Sequence, residues 1–96
     1  MGEKQYICKT AERREYYLPA SQFVVRIIYG YPHVWCRVIG TLTGTVHEEY
    51  HADKRHPQWQ RHVECFETLA WHKYKLIAQV NEILALRNRQ ITGSFK

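Results

Sequence analysis

Residues 45–59, TVHEEYHADKRHPQW, hold the densest set of side chains in this chain that could do chemistry. Within them His47-Glu48-Glu49-Tyr50-His51 has the spacing H-E-x-x-H. On a helix, positions four apart share a face. The two imidazoles would then hold one zinc ion, and Glu48 would take a proton from a metal-bound water. A third ligand would have to come from His56 or His62. On a strand the same two histidines would stand about 13 Å apart at ~3.3 Å per residue, too far to share one ion.

The motif resembles that of zinc peptidases over these five residues only. It departs from theirs at Glu49, a carboxylate where a buried helix usually has an uncharged residue. The preceding GTLTGTV reads as strand or turn, and no long apolar helix carries the motif. A second pattern, H-x-x-C, occurs twice, at His33/Cys36 and at His62/Cys65. Together the four would supply a Cys₂His₂ zinc site. Residues three apart share a face on a helix but point to opposite faces on a strand, which separates His33 from Cys36. There is no Gly-x-Ser-x-Gly and no phosphate-cradling glycine loop. The expectation is therefore no catalytic residue, no metal and no cofactor, with a zinc-dependent hydrolase using 47–51 kept as an alternative.

The elements that would carry these residues can be read from periodicity. Residues 22–29, QFVVRIIY, and 33–42, HVWCRVIGTL, are rich in β-branched and aromatic side chains, and Gly30-Tyr31-Pro32 links them. Two such runs joined so tightly form an antiparallel hairpin. In the second run Val34, Cys36, Val38, Gly40 and Leu42 take one face, and His33, Trp35, Arg37, Ile39 and Thr41 the other. Bare Gly40 and Gly44 on the first face would admit a close backbone or a bend. Residues 5–9 suit a short edge strand. Residues 11–17, AERREYY, suit one or two helical turns, capped by Thr10 and stopped before Pro19.

From about 58 to 89 a long helix follows Pro57, with Trp59, Val63, Phe66, Ala70, Ile77, Val80 and Leu84 forming its apolar stripe. Leu69, Leu76 and Ile83 widen that stripe, and Lys73 lies within it. The fold expected is α+β, a small antiparallel sheet of two to four strands packed against this one helix. The chain reads as a single compact domain, 1–96, with a flexible tail at 90–96.

A helix of that length spans about 48 Å, more than the short strands beneath it. One end should project and meet a partner, a larger protein or a second copy in a homodimer through the helix. Trp71 falls nearly opposite the apolar stripe and should be exposed. With Tyr74 and Lys75, and with Tyr31 and Trp35 of the hairpin, it forms the expected partner-binding set.

Composition limits the rest. With 14 Lys and Arg against 9 Asp and Glu, the formal charge is +5, which favours an anionic partner. Arg26, Arg37, Lys54, Arg55 and Arg61 are the expected nucleic-acid contacts, with Tyr31 or Trp35 stacking on bases. Three widely spaced cysteines do not suggest a disulfide framework. The start, MGEKQYICKT, has no apolar core of leader length, and no stretch approaches membrane-spanning length, so a cytoplasmic protein without membrane contact is expected. The functional expectation is a small non-enzymatic protein that docks on, and modulates or inhibits, a larger nucleic-acid-handling complex. A direct nucleic-acid-binding domain is the first alternative.

Overall fold

A computed structural model describes residues 4–94, with side chains as far as 89. Residues 1–3, at the start of the N-terminal segment, and 95–96, at the end of the expected tail, lie outside them. Five strands, β1 (Tyr6–Lys9), β2 (Arg13–Tyr17), β3 (Phe23–Tyr29), β4 (His33–Gly40) and β5 (Val46–Asp53), precede one helix, α1 (Trp59–Ser94). The strands lie side by side in chain order, each antiparallel to the next. The α+β architecture and the central hairpin are as the sequence implies, but the sheet has five strands rather than two to four.

The largest departure is β2, where helical turns were expected. The helix-forming residues of AERRE yield because the segment is paired on both sides, to β1 and to β3. Alternation then sends Arg14 and Tyr16 toward α1, and Arg13, Glu15 and Tyr17 away from it. Thr10 does cap, but it caps a turn. Its Oγ1 accepts the backbone N–H of Glu12 at 3.3 Å and of Arg13 at 3.0 Å, between β1 and β2.

In β4 the alternation holds, and Val34, Cys36 and Val38 are fully buried. Leu42 is 96% exposed because the strand has already ended at Gly40. Gly40 leaves room for a side chain rather than a helix backbone. A Cβ there would lie 3.1 Å from Nε2 of His47 and 3.3 Å from Oγ1 of Thr43.

The core joins Tyr16, Val25, Ile27, Val34, Cys36, Val38 and Ala52 of the sheet to Val63, Ala70 and Tyr74 of α1. The buried helix positions are Val63, Glu67, Ala70 and Tyr74, one side of the first four turns. That side is rotated from the expected stripe. The cause lies in the sheet, which offers polar groups to the helix. Tyr16 donates its hydroxyl to Oε1 of Glu67 at 2.8 Å, and Arg14 pairs with Oε2. Glu67 therefore turns inward at 6% exposure, and Leu69, Leu76, Val80 and Ile83 are left on a second face, roughly 140° around the helix.

α1 has 36 residues, about 54 Å. The molecule is correspondingly elongated, 63 × 24 × 22 Å. From Gln79 to Arg89 every residue is exposed, and the helix runs on to Ser94 through most of the segment read as a tail. Among the described residues no helix is long and apolar enough to cross a membrane.

Candidate protein-interaction surface

The H-E-x-x-H residues lie on β5. Val38 pairs with Glu48 while Ile39 pairs with Val46, so His47 is the extra residue of a bulge. The bulge turns its imidazole to the ring of Phe23, at 5.0 Å between centroids. His51 instead lies 3.9 Å from the ring of Trp35, on the sheet face away from α1. The carboxylates diverge too. Glu48 faces the helix, accepting from the Tyr74 hydroxyl at 2.8 Å and from Nζ of Lys73 at 3.1 Å. Glu49 faces the other way, to Arg37 and to Nε2 of His51 at 3.2 Å.

The two H-x-x-C pairs also stay apart. Cys36 is buried, which pushes its thiol up to about 12. His33 lies near His51, and His62 near His56 at 4.8 Å, while Cys65 is exposed on α1. Among the described residues no three His, Cys, Asp or Glu side chains gather as metal ligands.

The expected nucleic-acid contacts are mostly neutralised. Arg26 and Arg37 are cross-strand neighbours on the open sheet face. Each is held by a carboxylate further along the same row, Arg26 by Glu15 at 2.8 Å and Arg37 by Glu49. Arg55 grips Asp53 through Nε at 2.9 Å and Nη2 at 2.8 Å. Those side-chain hydrogen bonds hold the Asp53 carboxyl well below the usual range. Lys54 sits over the Trp59 ring at 5.4 Å. Arg61 is exposed in the first turns of α1.

The expected partner-binding residues divide. Tyr31, at the hairpin tip, is 77% exposed. Trp35 is half-buried, with the Arg37 guanidinium 5.2 Å from its ring centroid. Trp71 was expected in water but is half-buried, 6.4 Å from the Tyr16 ring. With Lys75 it lines an open cavity of about 280 Å³ against Tyr17, Leu18 and the short 3-10 turn Pro19–Ser21. In that turn Ala20 and Ser21 both adopt positive φ, 71° and 58°, a strained conformation for residues with a Cβ. Tyr74 is not at the surface. The rotation of α1 places it at 5% exposure, 4.6 Å from the Phe23 ring. Burial, and then its bond to Glu48, push its phenol up to about 12.

Of the stripe assigned to the core from sequence, Val63 and Ala70 do reach it, and the rest of its length is the surface that α1 presents. Leu69 is 64% exposed, Leu76 61%, Val80 53%, Ile83 56% and Leu84 48%. Toward the sheet the stripe runs into a groove of about 410 Å³ between β5 and α1, lined by Glu48, Glu49, Tyr50, Cys65, Phe66 and Leu69. The rings of Tyr50 and Phe66 stack there at 6.4 Å. β5 is the last strand of the sheet, so the groove runs along an open edge. The signal for this second face was the recurrence of Leu69, Leu76 and Ile83 every seven residues, a seam spacing rather than a sheet-packing one. No protein-family model, no curated protein and no solved structure matches this chain.

Proposed function

We propose that this chain is a non-enzymatic interaction protein that docks on a larger protein assembly and modulates it. The observation that carries this reading is the far half of α1. From Leu76 to Leu86 six large apolar side chains stand 37–61% exposed, past the last buried helix residue. Scattered exposed apolar residues are ordinary, but a contiguous stripe marks a binding surface. A helical stretch without a packed face also gains little stability of its own, and a partner supplies that face. Tyr31 and the Trp71–Lys75 cavity add contact chemistry on other sides. The charge of +5 suits an assembly that handles nucleic acid.

The test is affinity capture from a lysate of the source cells, with and without nuclease. A defined protein retained after nuclease supports docking. Loss of every partner after nuclease overturns it.

A direct nucleic-acid binder is the second reading, favoured by the Trp35–Arg37–His51 cluster on the open sheet face. It predicts affinity falling steeply between about 50 and 200 mM salt. The carboxylates on Arg26 and Arg37 weigh against it. The hydrolase alternative draws no support from His47 and His51, which pack on different rings.

A further inference from the structure

We infer that the stripe on α1 is covered by a second copy of this chain: two chains pair antiparallel, stripe against stripe, with Arg87 of each reaching the groove of the other at Leu69. The inference rests on reading the stripe as a protein-docking surface: the second copy covers it in the free chain, and the larger partner takes it in exchange.

The groove and the stripe are one face of one helix. Phe66 and Leu69 line the groove, and Leu76, Val80 and Ile83 continue it into solvent. Leu69, Leu76 and Ile83 recur every seven residues, with Phe66, Lys73, Val80 and Arg87 at the alternate seam positions. That is the pattern of a helix that pairs with a helix.

The two cations in the seam select the direction. A parallel pair in register would set Lys73 on Lys73 and Arg87 on Arg87. An antiparallel pair with Val80 against Leu76 of the second copy instead sets Lys73 against Ile83 and Arg87 against Leu69. There the long stems cover apolar surface. The guanidinium of Arg87 also arrives beside the groove wall that carries Glu48, whose carboxylate then faces it as well as Lys73.

Exposure agrees: Leu69, Leu76, Val80 and Ile83 are each more than half exposed, a contiguous apolar face for the second copy to cover. The arrangement is two-fold and closed, since the same patch serves on both chains. Trp71 and Lys75, roughly half a turn away around α1, stay uncovered in the pair.

The experiment is analytical ultracentrifugation of the full chain from about 1 to 100 μM. The expected result is a species of twice 11.5 kDa. Leu69→Lys, set against Arg87, and Ile83→Lys, set against Lys73, place like charges together and should each weaken self-association by about 100-fold or more. Both positions are more than half exposed, so each variant should keep the circular dichroism of the parent. A chain monomeric at the highest concentration overturns the pairing. So does weakening by Ile83→Lys with Leu69→Lys unchanged, because Arg87 would then not lie against Leu69 at the groove. A monomer that still captures a protein through Leu76 and Ile83 overturns the pairing alone. A dimer that captures nothing overturns the docking reading alone.

Discussion

The hydroxyl of Tyr16 donates to Oε1 of Glu67 at 2.8 Å, from β2 to α1 through the middle of the sheet–helix interface. Arg14, one turn of the pleat away, pairs with the other oxygen of the same carboxylate. This triad sets the rotation of α1, and the rotation decides which apolar residues reach the core and which face water.

Breaking the triad should therefore be costly, since Tyr16 and Glu67 are both buried. Glu67→Ala leaves a partly buried guanidinium and a buried hydroxyl unpaired, and should destabilise by about 2–4 kcal/mol. Tyr16→Phe removes one hydrogen bond and leaves the ion pair, for about 1 kcal/mol. Urea unfolding of both variants checks the order. If Glu67→Ala proves milder than Tyr16→Phe, the triad does not hold the helix in place.

Gly40 and His47 make a second coupled pair. A methyl group at 40 would press on the His47 ring 3.1 Å away, so Gly40→Ala should cost about 1–2 kcal/mol. With His47→Ala already present the same change should cost markedly less. A double-mutant cycle measures this difference, and equal costs in both backgrounds would exclude the contact.

Stability should decline in alkali. Burial raises the Cys36 thiol from 9.0 to about 12 and, with Glu48, the Tyr74 phenol from 10.0 to about 12; it raises the Tyr16 phenol further. These groups are neutral when protonated, and the folded chain keeps its protons to higher pH than the unfolded chain. Above pH 9 the unfolded state thus binds fewer protons, and the stability these groups contribute, complete below pH 9, is lost progressively toward pH 12. The urea midpoint should hold from pH 7 to about 9 and then fall, less steeply in Cys36→Ala. A midpoint unchanged at pH 10.5 would contradict the burial of these groups.

The hairpin of β3 and β4 was legible because its alternation and its Gly-Tyr-Pro link are local properties. The existence of α1 was legible for the same reason. Its rotation was not, because the partners of Glu67 come from Arg14 and Tyr16, in a segment whose own propensity is helical. That one misread element sent Tyr74 to the surface and Leu69, Leu76 and Ile83 to the core, when the reverse holds. The strand placement of HEEYH followed from GTLTGTV. The turning of His47 away from His51 did not, since a bulge belongs to the pairing of two strands and leaves no mark on either alone.

The division of α1 into a packed half and a docking half is tested most directly by ending the chain at Gln79 and measuring partner retention after nuclease. Val63, Glu67, Ala70 and Tyr74 all remain in that shorter chain, so its urea stability should stay within about 1 kcal/mol of the full chain. The prediction is a folded protein that retains no partner. A truncated chain that holds its partner as tightly as the full one would contradict the assignment of the docking surface to the far half of the helix.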